Sequence, residues 1–114
     1  MSLATDLSTA DVCDKAANVI ETNGYCRHYL YDTRQAADGK KLADCRVDII
    51  GAINIVLYGT PRYGGTGLGQ AIEQAITDRI DAPSIVNWCD RKGHGKNEAI
   101  RLLRATAKAL REAS

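Results

Sequence analysis

The sequence predicts a mainly α-helical domain of about four helices, together with a short β-hairpin near residues 25–43. In four stretches the apolar residues recur at three- and four-residue spacing, the periodicity of a helix with one buried face. The chain has 114 residues, of which 45% are hydrophobic, enough for one modest core. Phenylalanine is missing, so aliphatic residues must form that core. We therefore expect a flexible N-terminus, residues 1–8, and a single globular domain, residues 9–113.

The first predicted helix has clear signals at both ends. Ser8 is a candidate N-cap with Asp11 three residues later, an acidic variant of the capping box. Val12 and Ile20 belong to its apolar stripe, and Gly24 is a typical C-terminal stop. After it come three tyrosines within seven residues and then a polar stretch with an Asp-Gly turn at residues 38–39, which predicts the hairpin.

Residues 44–58 fit two interpretations. The β-branched content favours a strand, whereas the length of the segment favours a helix. Asp44 would be the N-cap of that helix and Gly59 its stop. We prefer the helix.

Two further helices follow from the apolar pattern. The third is amphipathic, and Pro83 blocks its continuation. Its predicted inward face consists of Leu68, Ala71, Ile72, Ala75, Ile76 and Ile80. The fourth and longest runs over residues 96–113, with Ala99, Ile100, Leu103, Thr106, Ala107 and Leu110 inward.

The stretch GTPRYGGT, residues 59–66, matches three positions of the phosphate-binding loop G-x-x-x-x-G-K-[ST]. Gly65 stands where that loop needs its lysine, and the preceding element is predicted to be a helix rather than the required strand. We therefore interpret the Gly59–Gly69 segment as a connection between helices, and whether it has a function is left open.

The four cysteines are dispersed, without a C-x-x-C pair, so we expect small buried side chains rather than disulfides or metal ligands. A zinc site from Cys26, His28, Cys89 and His94 has the right number of ligands but not the usual spacings. We predict no metal and no cofactor.

The segment NWCDRKGHGK places several chemically capable groups near the only tryptophan. Cysteine, histidine and aspartate can together perform nucleophilic catalysis, although a turn anchored by the tryptophan explains the same residues. The candidate binding residues are Tyr25, His28, Trp88, Asp90 and His94.

The C-terminal part of the chain is basic: residues 91–114 hold seven Lys or Arg and two acids. Such a face can bind nucleic acid, but it also suits a solvated helix, and no aromatic residue lies among the cations. The candidate residues for nucleic acid are Arg91, Lys92, Lys96, Arg101, Arg104, Lys108 and Arg111.

Three motifs occur in a characteristic order: ETNGYC at the end of the first helix, CRVDIIGAI in the second, and IVNWCDRKGHGK before the last. This order resembles a small uncharacterised family of actinobacterial and actinobacteriophage proteins. The matching positions are Glu21, Gly24, Tyr25, Cys45, Gly51, Ala52, Trp88 and Asp90. Cys89 stands where asparagine is common in that family. The resemblance implies a bacterial or phage origin and a helix at residues 45–58, but no activity.

These observations give a leading hypothesis and two alternatives. The leading one is a small soluble phage or bacterial accessory protein that binds a protein partner or itself. We expect it in the cytoplasm (the host cytoplasm if phage-encoded), because no apolar run approaches a membrane span and no secretory signal precedes the domain. The alternatives are nucleic-acid binding through the basic helix and a small enzyme around residues 88–90.

Overall fold

The computed structural model describes residues 8–62, 67–91 and 93–113, apart from the side chains of residues 67 and 68. Within these ranges the chain forms six α-helices and no β-sheet. The helices are α1 (Thr9–Asn23), α2 (Thr33–Ala37), α3 (Ile49–Tyr58), α4 (Gly67–Thr77), α5 (Ile85–Asp90) and α6 (Lys96–Ala113). The mainly helical prediction is therefore confirmed, but the structure has two short helices beyond the four predicted.

Helix α1 begins and ends as its sequence predicts. The Ser8 hydroxyl accepts a hydrogen bond from the Asp11 amide at 3.1 Å, which satisfies one free donor of the first turn. At the other end Gly24 adopts a positive φ of 102° and its amide donates to Ile20 O. A side chain is disfavoured in that conformation, so glycine terminates the helix cleanly.

Helices α1 and α6 pack against each other in antiparallel orientation, and small side chains allow their close approach. Cys13, Ala16 and Ala17 of α1 are fully buried, as are Leu103 and Ala107 of α6. Arg104 contacts the C-terminal half of α1 and Arg111 its start, which fixes the antiparallel direction. This pair forms one side of the core.

Helix α3 lies beside α1 and begins later than predicted. A single 3₁₀ turn, Leu42–Asp44, occupies the predicted start, and the chain from Cys45 to Val47 is extended. Asp48 rather than Asp44 is the N-cap, because its carboxylate accepts from the Gly51 amide at 2.7 Å. The helical interpretation is confirmed for Ile49–Tyr58 but not for residues 44–48, and Gly59 ends the helix in the left-handed conformation as predicted.

The predicted hairpin at residues 25–43 is wrong. Tyr25 and Tyr31 each form an isolated bridge with Val47, instead of pairing with a strand across the Asp-Gly turn. Asp32 caps the short helix α2 by accepting from two amides of its first turn, so local side-chain hydrogen bonds replace the second strand.

Helices α4 and α5 complete the core. Helix α4 ends at Thr77, earlier than the apolar pattern predicts, and Ile80 packs against the core from the following turns. Ser84 caps α5 through the Asn87 amide at 3.1 Å, and α5 buries Ile85 and Trp88.

Several predictions lie outside the described residues. They are the inward position of Leu68, most of the Gly-rich loop (residues 63–66) and all but the end of the flexible N-terminus. Because α3 precedes the Gly-rich loop, the strand that a phosphate-binding loop needs is not there.

None of the helices in the described parts of the chain is both long enough and apolar enough to cross a lipid bilayer.

Candidate functional site

Residues 25–31, here called the strap, form a compact loop across one end of α3. Both of its ends meet the same short extended segment: the Cys26 amide donates to Val47 O at 3.1 Å, and the Asp48 amide donates to Leu30 O at 3.4 Å. Gly51 lies directly under the strap, where an added Cβ would come within 2.0 Å of the Leu30 carbonyl oxygen. Only glycine allows the strap to lie this close to α3.

Hydrogen bonds also tie the strap to the C-terminal end of α5. The Tyr25 hydroxyl donates to Cys89 O at 3.2 Å, and the His28 amide donates to Asp90 Oδ1 at 2.9 Å. The imidazole of His28 lies 3.4 Å from the other carboxylate oxygen of Asp90. Residues more than sixty positions apart in sequence therefore form one surface.

A stacked pair of rings supports this surface from beneath. The imidazole of His94 lies parallel to the Trp88 indole, with ring centroids 4.0 Å apart and 16° between their planes. Its Nδ1 is 2.7 Å from Trp88 O, and His94 O accepts from the Arg27 guanidinium at 2.9 Å. The five candidate binding residues are thus brought together, but Tyr25, Trp88 and His94 are engaged in holding the strap.

His28 and Tyr29 are the exposed residues at the tip of the strap. His28 has a φ of +74°, which is uncommon for a residue with a side chain and is the sole such case in the described chain. Its side chain is 66% exposed, and Tyr29 is 61% exposed. The strap therefore presents an aromatic ring and an imidazole to solvent on a backbone that is fixed at both ends.

A pocket of about 310 Å³ adjoins the strap, lined by Cys26, Arg27, Tyr29, Asp32, Thr33 and Arg34. Asp32, its only acid, is already engaged. Hydrogen bonds from the first turn of α2 and from Arg46, 3.2 Å away, hold the pKa of Asp32 below its usual range. The remaining charge beside Tyr29 comes from Arg27 and Arg34, so this part of the surface is positive.

The thiols near the strap are unsuited to nucleophilic catalysis. Burial raises the pKa of Cys89 to about 11 and that of Cys26 to about 12, so both are protonated thiols at neutral pH. All four cysteines are free, and three of them are buried, in agreement with the sequence interpretation for Cys13, Cys45 and Cys89. In the described parts of the chain, no group of three or more His, Cys, Asp or Glu is arranged to hold a metal ion.

Acidic side chains of α1 partly neutralise the basic residues of α6. Arg104 lies 3.3 Å from Asp14 and 3.4 Å from Glu21, and Arg111 binds Asp11 and Asp14 at 2.8 and 2.6 Å. The spacing of the cations could not reveal these acidic partners, which come from the far end of the sequence.

The other cations of that set have mixed surroundings. Arg101 lies 3.7 Å from Glu98, and Arg91 donates to the Asp81 carbonyl at 2.8 Å. Lys96 and Lys108 are exposed, and Lys92 lies outside the described residues.

Asp48 is a buried acid that sequence reasoning missed. It is only 4% exposed, and burial raises the pKa of its carboxyl to about 7, with a smaller contribution from the charges of Asp90 and Glu73. The signal in the sequence is an aspartate directly before the apolar run Ile-Ile-Gly-Ala, which is a typical N-cap position. Asp48 connects the strap to α3, because its amide donates a hydrogen bond to Leu30 O and its carboxylate accepts one from the Gly51 amide.

The fold and this surface define a small helical domain that carries a polar, loop-built face. The chain belongs to the family of unknown function DUF6197, whose family model matches residues 4–109. The resemblance to an uncharacterised family is confirmed at that level. No curated protein and no solved structure matched the chain.

Proposed function

We propose that the protein is a non-enzymatic binding protein whose strap surface contacts another protein or a second copy of itself. The strap surface consists of His28, Tyr29 and Asp90 together with the adjoining Arg27 and Arg34. The observation that carries the proposal is Tyr29, a large side chain that is 61% exposed on a loop tied down at both ends. We further propose, from the family resemblance, that it acts as a bacterial or phage accessory protein in the cytoplasm.

The chemistry of these residues supports binding. Tyrosine and arginine are enriched among the residues that dominate protein interfaces, because each combines apolar area with a polar group. The strap is held by Val47, Cys89 and Asp90, so it needs little ordering on binding. The left-handed backbone at His28 is consistent with this role, since strained residues persist where the surrounding structure fixes them and cluster at functional sites.

The test compares two variants of the strap surface, Tyr29→Ala and Arg34→Ala, with the control Arg79→Ala. Arg79 is also exposed, but it lies after α4 and outside the strap surface. Sedimentation velocity measures self-association, and affinity capture from bacterial lysate with quantitative mass spectrometry measures binding of other proteins. Circular dichroism checks that every variant remains folded.

We expect both strap variants to lose the same partner, or the same dimer, by about tenfold in apparent affinity, which corresponds to the removal of one interface anchor. The control should retain it. The proposal fails if the protein sediments as a monomer and captures nothing that distinguishes the strap variants from the control.

A further inference from the structure

A second pocket, of about 350 Å³, lies between α4 and α5 and away from the strap tip. It is of the size that small ligands occupy. Its lining is of mixed character: four apolar side chains, four neutral polar ones and one acid. These are Ile50, Pro83, Ile85 and Val86, then Gln70, Gln74, Thr77 and Ser84, and finally Glu73.

Glu73 is the charged residue of this pocket. Its side chain is partly buried, and that burial raises the pKa of its carboxyl above the usual range. Among the residues that the structure describes, no arginine, lysine or histidine lies within ion-pair distance of this carboxylate, and burial is the cause of the raised pKa. A partly desolvated carboxylate without a counter-ion is costly, so a cation that enters the pocket would be stabilised there.

Two of the four neutral polar side chains around Glu73 already donate hydrogen bonds elsewhere. The Thr77 hydroxyl donates to the Glu73 carbonyl at 2.8 Å, and the Gln74 amide nitrogen donates to Asp78 at 2.8 Å. The oxygens of these two side chains thus keep acceptor capacity. The pocket therefore suits a ligand that donates several hydrogen bonds and carries positive charge.

The apolar side chains supply a wall for a hydrocarbon chain. Ile85 is buried at the start of α5, whereas Val86 beside it is 47% exposed. In the described parts of the chain, Val86 and Tyr29 are the two large hydrophobic residues that are exposed. Contact with a few methylene groups would cover part of Val86 and remove apolar surface from water, which favours binding.

We propose that this pocket binds an alkylammonium group, with the ammonium at Glu73 and the methylene chain against Ile85 and Val86. Two sources have this chemistry: a free aliphatic amine and the lysine side chain of a protein. The site is separate from the strap surface, and the proposal does not depend on the function proposed there.

The experiment is a two-dimensional NMR titration of the ¹⁵N-labelled full chain. The ligands are 1,4-diaminobutane, a short peptide containing one lysine, the same peptide with that lysine Nε-acetylated, and 1-butanol as a neutral analogue of the amine. We expect the cationic ligands to shift amide signals of α4 and of residues 83–86, and the two neutral ligands to bind at least about tenfold more weakly. Binding of the diamine alone identifies a free amine as the source, and binding of the lysine peptide alone identifies a protein.

The variant Glu73→Gln should weaken binding of the cation by about tenfold, whereas Glu112→Gln, which removes the same charge from the exposed end of α6, should leave it unchanged. If Glu73→Gln does not fold, the comparison of cationic with neutral ligands on the unaltered protein still decides the question. Equal binding of the amine and the alcohol, equal binding to both variants, or no binding of either cation would overturn the proposal.

Discussion

Two regions of the molecule obtain their geometry in opposite ways. The seam between α1 and α6 is an apolar contact of small side chains, and its ion pairs lie outside that contact on partly exposed arginines. The strap and the start of α3 are instead fixed by polar groups, including the buried carboxylate of Asp48 and the hydroxyl of Tyr25.

The difference determines which contacts matter energetically. An exposed ion pair gains little free energy over the same two charges hydrated separately. The polar groups at the seam should therefore contribute little to the stability of the fold. Buried polar groups cost free energy unless every partner is in place, so substitutions under the strap should change the stability of the protein more than substitutions at the seam. Three substitutions test this contrast, in order of decreasing expected effect.

The largest effect is expected for Gly51→Ala. The added methyl group would lie 2.0 Å from the Leu30 carbonyl oxygen, so the strap must move away from α3 and lose its bond to the Asp48 amide. We expect a loss of about 3 kcal/mol or more in the free energy of unfolding, measured by urea denaturation.

The control for this substitution is Gly95→Ala, which introduces the same methyl group just before α6. There the nearest atom would be a terminal side-chain oxygen of Glu98 at 3.4 Å, an ordinary contact. We expect a change below about 1 kcal/mol. A similar small change for Gly51→Ala would mean that the strap is not fixed against α3.

The same contrast separates what the sequence could predict from what it could not. Helices α1 and α6 follow from apolar periodicity and local caps such as Ser8, both of which are visible within a few residues. The strap depends on hydrogen bonds between Tyr25 or His28 and α5, which no local pattern contains. The hairpin prediction failed for the same reason, because Val47 is the partner of both ends of the strap.

The candidate site was predicted in part. The residue types around Trp88 indicated a polar cluster, and the structure brings Tyr25, His28 and His94 to it. Their binding role stays a prediction. The exposure of Tyr29 and the pocket at Glu73 could not be predicted, because both depend on how separate helices are arranged in space.

The second substitution, Asp48→Asn, tests the buried carboxyl. The pKa of Asp48 is raised to about 7 from 3.8, so the folded protein binds a proton more tightly than the unfolded chain. The stability that the protonated Asp48 carboxyl contributes is therefore present at low pH and is lost as the pH rises between about 4 and 7. Asparagine can still accept the Gly51 hydrogen bond without a charge, so it should remove that loss.

We expect the free energy of unfolding of Asp48→Asn, relative to that of the unaltered protein, to rise as the pH increases from about 4 to about 8. The total rise should be on the order of 2 kcal/mol. Denaturation curves at several pH values measure this difference. Asp81→Asn, at an exposed position, should show no comparable trend. If the two variants depend on pH in the same way, the carboxyl of Asp48 is not held in a protonation-sensitive environment.

The smallest effect is expected for Arg104→Gln at the seam between α1 and α6. The Arg104 side chain is 41% exposed and lies within 3.3–3.4 Å of Asp14 and Glu21, so water and salt screen both ion pairs. We expect a loss of about 0.5–1 kcal/mol in low salt that shrinks in 1 M NaCl. A double-mutant cycle with Asp14→Asn isolates the pairwise term, and its coupling energy should be a few tenths of a kcal/mol. A loss above about 2 kcal/mol that salt does not reduce would show that the seam, like the region under the strap, depends on its polar contacts.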